Sequence, residues 1–171
     1  MDFKDKVVLI TGASSGIGKE AAIQFAKKGS KVILVARRKQ KLEQIADDLK
    51  KSNISTLICE CDVSDKLQVE KMSKLVLEKY GSIDILVNNA GFAIYGSVFD
   101  LTTEEIESQM ATNYFGMIYC IKNFLPSMLE KKSGHIVNVA SVAASFGLPG
   151  IASYCASKFA MLGFSEGLKH E

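Results

Sequence analysis

The chain has 171 residues, of which 47% are hydrophobic and two are proline. A chain of this length can bury one sizeable apolar core but not two, so we expect a single domain over residues 1–171. The formal net charge is +2, from 21 basic and 19 acidic side chains, and this balance gives no reason to expect binding to nucleic acid or to an anionic membrane.

Short apolar runs rich in β-branched residues alternate with longer stretches of helical periodicity, a pattern typical of βαβ units around a buried parallel sheet. Five strands are predicted, over residues 6–11, 31–36, 55–61, 83–88 and 134–140. Right-handed crossovers between them favour a doubly wound α/β Rossmann sheet in the order 3-2-1-4-5. In such a sheet the ligand crevice lies at the carboxyl ends of the strands, where the order reverses.

Helices are predicted between the strands. The first begins at about Gly16 and stops at Gly29, a residue type that favours the left-handed conformation just past a helix end. Ser64 is expected to cap the helix that ends at Gly81.

The second half of the chain carries two further helical stretches. Thr102 and Glu105 have the spacing of a capping box and open a long helix that reaches toward Glu130, with a local disturbance expected at Pro126. A last helix starts near residue 151 and is predicted to continue to the final residue, 171.

A glycine-rich segment comes directly off the first strand and opens the first helix. Glycines remove the Cβ atoms that would hold the backbone away from a pyrophosphate, and the free N–H groups of the first helical turn point at the anion. An ordinary tight turn is the alternative interpretation of such a segment. The residues expected to contact a dinucleotide here are Gly12, Ser14, Ser15, Gly16, Ile17 and Gly18.

The second strand ends in two arginines, Arg37 and Arg38. An acidic residue at this place would hold the ribose hydroxyls of NAD, whereas a guanidinium can pair with the 2′-phosphate of NADP. NADP(H) is therefore the expected cofactor, with NAD(H) less favoured and Arg37 the preferred contact. Alternatively, both arginines belong to a solvated helix entrance together with Lys39 and Lys41.

A possible proton-transfer group lies near the end of the chain. Tyr154 and Lys158 are four residues apart on a predicted helix, so their side chains share a face. A free tyrosine has a pKa of about 10, and a fixed positive charge nearby lowers such a value by roughly one to three units. Ser141, just after the fifth strand, could hydrogen-bond a substrate oxygen. A surface Tyr–Lys pair and a strand-end cap are the alternative interpretations.

The segments from Thr11 to Gly18 and from Asn88 to Gly91, and Tyr154-x-x-x-Lys158 with Ser141 upstream, together resemble the short-chain dehydrogenase/reductase family, 3-oxoacyl-[acyl-carrier-protein] reductases in particular. The resemblance spans the whole chain. It implies hydride transfer between NADP(H) and a carbonyl or alcohol, with 3-oxoacyl thioesters as the first substrate class and small ketones, steroids and sugars as rivals.

The resemblance also implies roles for individual residues. Ser141, Tyr154 and Lys158 would be catalytic, with Lys158 also on the nicotinamide ribose, and the backbone carbonyl of Asn113 would hold a water in the proton relay. Asparagine is an indifferent helix former, so a local kink at Asn113 is expected. The remaining expected cofactor contacts are Asp62 and Val63 at the adenine, and Asn89, Ala90 and Gly91 at the nicotinamide-ribose side.

Family members usually continue past the Tyr-bearing helix into a substrate-binding part, so the sequence is interpreted as C-terminally truncated. Two alternatives to an active enzyme therefore stay open: a non-catalytic NADP(H) sensor, and an inactive fragment of a longer reductase. The resemblance further implies a homodimer or homotetramer formed through the long helix, about 103–130, and the Tyr154 helix.

No segment approaches the roughly 20 apolar residues that a membrane span requires. The four cysteines show neither the density of a disulfide scaffold nor a C-x-x-C pair, which favours a reduced, cytoplasmic location. Cys59 and Cys61 are expected on opposite faces of the third strand, and no metal site is predicted.

Overall fold

The computed structural model describes residues 2–51 and 54–171. Five parallel strands form one sheet: β1 (Val7–Thr11), β2 (Lys31–Ala36), β3 (Thr56–Glu60), β4 (Ile85–Asn88) and β5 (His135–Asn138). Their order is β3-β2-β1-β4-β5, which confirms the Rossmann topology predicted from the sequence. Because β1 lies between β2 and β4, the order reverses at its carboxyl end, and a crevice opens there.

Among the residues that the structure describes, six α-helices cover the sheet: α1 (Gly16–Lys27), α2 (Lys39–Lys50), α3 (Lys66–Tyr80), α4 (Thr103–Met110), α5 (Gly116–Glu130) and α6 (Ala152–Leu168). Gly29 has φ +84° directly after the end of α1, as its residue type predicted. The predicted cap of α3 was wrong by one residue. Asp65 is the N-cap and accepts hydrogen bonds from the backbone of the first turn, because the Ser64 hydroxyl instead donates to Asp62 at 2.7 Å.

The predicted long helix is divided by a π-helical segment, Ala111–Phe115. Its start is as predicted, since Thr102 and Glu105 form a reciprocal capping box. The irregularity expected at Asn113 is this π segment, which widens one turn of the backbone. Pro126 lies inside α5, but the helix continues past it to Glu130.

Alternating strand residues divide the core into two layers. Val7 and Leu9 of β1 pack with buried residues of α3, α5 and α6, whereas Val8 and Ile10 pack with α1 and α2 on the other face. Cys59 and Cys61 both lie in the first layer. The expectation that they point to opposite faces was wrong, because residues two apart in a strand share a face.

Asp84 holds the amino end of β4 to two neighbouring elements. Its carboxylate accepts hydrogen bonds from the Val7 N–H at 2.9 Å and from Lys131 Nζ at 2.8 Å, and Lys6 Nζ lies at 3.5 Å. Burial by itself raises the pKa of Asp84, but the hydrogen bonds from Lys131 and Val7 and the charges of Lys131 and Lys6 outweigh it. The pKa is therefore below its ordinary value of 3.8.

Candidate active site

A cleft of about 790 Å³ opens at the carboxyl ends of the strands. Its walls come from the loops after all five strands, the π segment and the first turns of α6. Among the residues predicted as site residues, those that line it are Gly12, Ser14, Ser15, Gly16, Ile17, Arg37, Arg38, Asp62, Val63, Asn89, Ala90, Gly91, Ser141, Tyr154 and Lys158. Gly18 and Asn113, the other two predicted site residues, are not among the residues that line it.

The glycine loop joins β1 to α1 and forms one wall of the cleft. Gly12 has φ +67° and Gly16 has φ +55°, conformations that residues with a Cβ rarely adopt. Gly18 has a different role. A Cβ there would collide with the side-chain amide of Asn89 and would lie 2.5 Å from the Gly12 carbonyl oxygen. Gly18 therefore permits close packing of the loop against the residues after β4.

The two arginines after β2 have different partners. Arg38 Nη2 donates to the hydroxyls of Ser14 and Ser15, each at 2.8 Å, so its guanidinium is fixed against the glycine loop. Arg37 lies 3.6 Å from the Asp62 carboxylate and keeps 67% of its side chain exposed. Both guanidinium groups thus lie on the wall of the cleft nearest β2, and Arg38 is the more firmly held.

The Asn-Asn-Ala-Gly segment ties β4 to its neighbours. Asn89 Nδ2 donates to the Thr11 carbonyl at 3.0 Å, and the Thr11 hydroxyl accepts from the backbone N–H of Asn89 and of Ala90, both at 3.0 Å. Gly91 separates two site residues. A Cβ there would lie 3.0 Å from Asn113 Oδ1 and 3.5 Å from Lys158 Nζ, so a larger residue would push the proposed catalytic groups apart.

Asn88 extends this connection to the last strand and helix. Its amide donates to Asn138 Oδ1 at 2.9 Å, and the Asn138 amide donates to Ser165 Oγ at 2.8 Å. Asn88 Oδ1 is buried without a hydrogen-bond partner among the described residues. The carboxyl ends of β4 and β5 are thereby joined to α6, the helix that carries Tyr154.

Tyr154 and Lys158 lie one helical turn apart on α6 and face the same cleft. Lys158 Nζ is 5.8 Å from the centroid of the Tyr154 ring and donates to the Val139 carbonyl at 2.9 Å. Lys158 is only 4% exposed, and burial, which penalises the charged form, lowers the pKa of its ammonium from the ordinary 10.5. The ammonium is fixed at the end of β5, beside the phenol ring.

Ser141 is the N-cap of the 3₁₀ turn Val142–Ala144, and its hydroxyl oxygen accepts a hydrogen bond from the Ala143 N–H at 3.1 Å. This bond uses an oxygen lone pair and leaves the hydroxyl proton for donation. Ser141 therefore caps the turn and also lines the cleft.

Asn113 is fully buried in the π segment. Its side chain accepts from the Phe92 N–H and donates to the Phe92 carbonyl and to Ser157 Oγ, each at 2.9 Å. The amide is therefore occupied in holding the loop after β4 against α6. Only backbone atoms of Asn113 remain for the water-holding role that the family resemblance implies.

Several cleft residues carry no sequence signal of a site. They are mostly apolar. Thr112 lies in the π segment, and the others come from the segments that follow β4 and β5: Phe92, Ala93, Tyr95, Val142, Leu148 and Ile151. Gln109 was missed as well, although it is fully buried in α4 and hydrogen-bonds both Ile94 and Ser153. A glutamine among the apolar positions of a helix is the only hint that the sequence offers.

In the two described ranges no helix is long and apolar enough to cross a membrane. The same residues contain no group of three or more His, Cys, Asp or Glu side chains that could hold a metal ion. Cys59, Cys61 and Cys120 are buried free thiols. Burial raises the pKa of Cys59 to about 11 and that of Cys61 to about 12.

The sheet order, the glycine loop at its reversal point and the adjoining cleft define a nucleotide-binding α/β protein of the Rossmann class. Residues 6–171 match the family model described as short chain dehydrogenase. The chain is 39% identical over 171 residues to an uncharacterized oxidoreductase of Listeria innocua, covering 100% of this chain and 69% of that protein. It therefore belongs to the short-chain dehydrogenase/reductase family, a family of oxidoreductases.

Other relatives agree with this assignment. The chain is 41% identical to a Dehydrogenase/reductase SDR family protein 7-like of Anopheles gambiae, covering 97% of this chain and 54% of that protein. This chain thus spans about half the length of that relative.

Solved structures superpose closely on the described fold. A metagenomic short-chain oxidoreductase in complex with NADP has a TM-score of 0.94 at 29% identity, covering 98% of this chain and 76% of that one. An enzyme of the family from Burkholderia phymatum in complex with NAD has a TM-score of 0.95 at 32% identity, covering 99% and 61%. Actinorhodin polyketide ketoreductase with NADPH has a TM-score of 0.91 at 36% identity, covering 96% and 64%.

Proposed function

We propose that this chain carries the cofactor-binding and catalytic groups of an NADP(H)-dependent oxidoreductase that interconverts a carbonyl group and the corresponding alcohol. The observation that carries the proposal is that Tyr154, Lys158 and Ser141 line the same cleft as the glycine loop. A proton donor, a cation and a hydrogen-bond donor thereby lie within one cavity that also contains a pyrophosphate-type cradle.

The loop geometry fits a dinucleotide. A Cβ at Gly12 would lie 2.9 Å from the Ala90 Cα, so glycine there lets the loop pack against the residues after β4. A Cβ at Gly16 would meet no atom within 4 Å, and Gly16 lines the cleft, so the start of α1, where free N–H groups favour an anion, stays open. The residues proposed to hold the cofactor are Gly12, Ser14, Ser15, Gly16 and Ile17 at the pyrophosphate, supported by Gly18, then Asp62 and Val63 at the adenine, and Asn89, Ala90, Gly91, Tyr154 and Lys158 at the nicotinamide ribose.

The bound nicotinamide supplies or accepts the hydride. In the reductive direction Tyr154 gives its phenolic proton to the substrate oxygen, and in the oxidative direction its phenolate removes that proton. The Lys158 ammonium lies 5.8 Å from the ring centroid and is proposed to hold the nicotinamide ribose beside the phenol. Ser141 donates a hydrogen bond to the substrate oxygen and stabilises the charge that develops there. The backbone carbonyl of Asn113 is proposed to hold a water that returns protons from solvent.

The preference for NADP(H) is proposed on the two arginines after β2. A 2′-phosphate carries negative charge that a guanidinium can bind through two hydrogen bonds. Arg38 is held 2.8 Å from Ser14 and Ser15, so it is already oriented beside the pyrophosphate cradle. Arg37 was the contact preferred from the sequence, but its guanidinium lies 3.6 Å from Asp62. We therefore assign the larger share of the phosphate interaction to Arg38.

The apolar lining near Tyr154 supports a substrate with an apolar chain beside its carbonyl group. Tyr95 is 81% exposed, Val142 is 71% exposed, and Leu148 lines the same cleft. We propose 3-oxoacyl thioesters as the first class to test, followed by small ketones.

We also propose a homodimer or homotetramer formed through the long α4–α5 helix and α6. Both carry exposed apolar side chains: Phe115, which stacks on Tyr119, and Leu129 on the first, and Phe159 and Leu162 on the second. Sedimentation velocity on the wild-type chain and on a Leu129→Glu, Phe159→Glu double variant tests this assembly. A monomeric wild-type chain contradicts it.

The function is tested by mixing the chain with NADPH or NADH and following the absorbance of the reduced nicotinamide in the presence of a 3-oxoacyl thioester, a cyclic ketone or a keto sugar. Affinity for each cofactor is measured separately by calorimetry. We expect tighter binding of NADPH than of NADH, and an Arg38→Ala variant that loses this difference while binding NADH as before. Failure of the chain to bind either cofactor contradicts the proposal.

A further inference from the structure

Two amide side chains hold the loop that follows β4. Gln109 at the end of α4 and Asn113 in the π segment are four residues apart, and both are 0% exposed. Gln109 Oε1 accepts from the Ile94 N–H at 3.0 Å, and Asn113 Oδ1 accepts from the Phe92 N–H at 2.9 Å. The loop is therefore held at Phe92 and at Ile94, in each case by a hydrogen bond from the backbone N–H to a side-chain amide oxygen.

Each amide also reaches across to α6. Gln109 Nε2 donates to Ser153 Oγ at 2.8 Å, and Asn113 Nδ2 donates to Ser157 Oγ at 2.9 Å. The two serines are again four residues apart, and each directly precedes a residue of the proposed proton-transfer pair, Tyr154 or Lys158. The contacts form two amide–serine pairs, of which the Gln109–Ser153 pair lies nearer the start of α6.

The position of the first turn of α6 depends on the Gln109–Ser153 pair. The N-cap of the helix is Ile151, and it makes no side-chain capping bond. Of the hydrogen bonds described for the first turn, the one from Gln109 to Ser153 joins it to another helix. A buried hydrogen-bonded network of this kind fixes orientation, because any rotation leaves a polar group unpaired.

We propose that Gln109 is a positioning residue for Tyr154: by bonding Ser153 on one side and Ile94 on the other, it sets the rotation of the first turn of α6 relative to the loop that borders the cleft. The inference rests on the proposed function for its catalytic consequence. Gln109 touches neither the cleft nor the glycine loop, so it acts on the orientation of the phenol and not on cofactor binding.

The substitution Gln109→Met keeps the length of the side chain but removes its hydrogen bonds with Ile94 and Ser153, together with a third, at 3.3 Å, to the Glu105 carbonyl of its own helix. Displacing a reacting group by about 1 Å costs up to roughly 100-fold in rate. We expect kcat for carbonyl reduction to fall about 10-fold to 100-fold, with the Kd for NADPH unchanged. The same substitution at an exposed glutamine, Gln24→Met, is the matched control, since the one hydrogen bond that the Gln24 side chain makes within the described residues is to Glu20, at 2.6 Å.

Two further variants separate positioning from a general loss of structure. Ser153→Ala removes only the contact to α6 and keeps the loop contact, so it is the milder change if Gln109→Met fails to fold. Gln109→Glu retains an acceptor and one O–H donor while the carboxyl is neutral, and burial raises the pKa of a carboxyl group. We expect the kcat of Gln109→Glu to approach the wild-type value at low pH and to fall as the carboxyl group introduced by the substitution ionises. The wild-type chain has no such group at this position, so its pH profile should lack this decrease.

Tyrosine ring signals in NMR spectra provide a readout that needs no turnover, with the Tyr154 signal assigned by its loss in Tyr154→Phe. The inference requires that this signal shift in Gln109→Met and in Ser153→Ala but not in Gln24→Met. A folded Gln109→Met protein with wild-type kcat, or with an unchanged Tyr154 signal, overturns it. If the wild-type chain reduces no carbonyl compound, the proposed function fails, and the ring signal alone then supports or overturns the positioning role.

Discussion

Two glycines of the glycine-rich segment, Gly16 and Gly18, can each be replaced by alanine to test the geometry of this segment. The two substitutions are disfavoured for different physical reasons. A Cβ at Gly18 would collide with the Asn89 amide and would lie 2.5 Å from the Gly12 carbonyl oxygen. A Cβ at Gly16 would meet no atom within 4 Å, but the residue has φ +55°. Gly18→Ala therefore disturbs packing, whereas Gly16→Ala strains the backbone at a residue that lines the cleft.

The structure allows both free-energy changes to be estimated. Overpacking costs about 1 to 3 kcal/mol, and displacement of Asn89 loses its hydrogen bond to Thr11, at 3.0 Å, which contributes about 1 kcal/mol. The better helix propensity of alanine returns about 1 kcal/mol, so Gly18→Ala should lower the unfolding free energy by about 1 to 3 kcal/mol. At Gly16 the left-handed conformation costs about 1 to 2 kcal/mol, and the stiffer unfolded chain offsets about 0.4 to 1 kcal/mol of it.

Urea denaturation followed by circular dichroism measures both variants, and calorimetry measures their affinity for NADPH. We expect Gly18→Ala to be the less stable protein. We expect Gly16→Ala to be the more stable variant and yet to lose affinity for NADPH, because Gly16 lines the cleft and its backbone, at φ +55°, is proposed to hold the pyrophosphate. Equal stabilities, or Gly16→Ala binding NADPH as tightly as the wild type, refute this description of the loop.

Three further results are expected. Asp84→Asn should lower the unfolding free energy by about 1 to 3 kcal/mol at neutral pH. Because the folded-state pKa of Asp84 lies below 3.8, this difference in unfolding free energy should disappear as the pH falls through the folded-state pKa. A difference that does not change with pH contradicts the ion-pair explanation. The buried thiols of Cys59 and Cys61, whose pKa values burial raises to about 11 and 12, should resist iodoacetamide in the native protein and react after unfolding, as mass spectrometry would show. Lys158→Met should abolish carbonyl reduction without lowering the unfolding free energy, because burial disfavours the charged ammonium; a strongly destabilised variant contradicts this reasoning.

The topology was predictable because it depends on local pattern and chirality. The β1 residues Val8 and Ile10 alternate with Val7 and Leu9 between two apolar layers, and right-handed crossovers leave few possible strand orders. The glycine loop was recognisable for a similar reason, since its position between a strand and a helix is itself a sequence feature.

The choice of hydrogen-bond partners was not predictable. Ser64 and Asp65 are adjacent residues that both cap helices well, and only the proximity of Asp62 to the Ser64 hydroxyl decides between them. Arg37 and Arg38 are adjacent and have identical side chains, so the sequence does not distinguish their hydrogen-bond and ion-pair partners. Those partners depend on how the end of β2 packs against the glycine loop. The arginine contacts join residues distant in sequence, so no local periodicity encodes them, whereas Ser64 and Asp62 are only two residues apart and compete locally with the cap at Asp65.

The interior of the proposed site shows the same limit. The four-residue spacing of Tyr154 and Lys158 places both on one face of α6, and the structure has that arrangement. The burial of Gln109 against Ser153, across 44 residues of sequence, depends on how α4 and α6 pack. A sequence can therefore indicate the proposed reacting groups more readily than the residues that hold them in place.

The central claim is that the phenol of Tyr154 exchanges a proton with the substrate while a nicotinamide cofactor exchanges the hydride. Its most direct test is to measure, on the wild-type chain and on Tyr154→Phe, both the Kd for NADPH and the rate of carbonyl reduction at saturating NADPH. We expect the Kd to rise by no more than about 5-fold, the cost of one lost hydrogen bond of about 1 kcal/mol, together with a rate lowered by about 10²-fold to 10⁴-fold, the usual contribution of a general acid. Equal rates in the two proteins contradict the assigned role of Tyr154, and NADPH binding without reduction by either protein identifies the chain as a binding module instead of a catalyst.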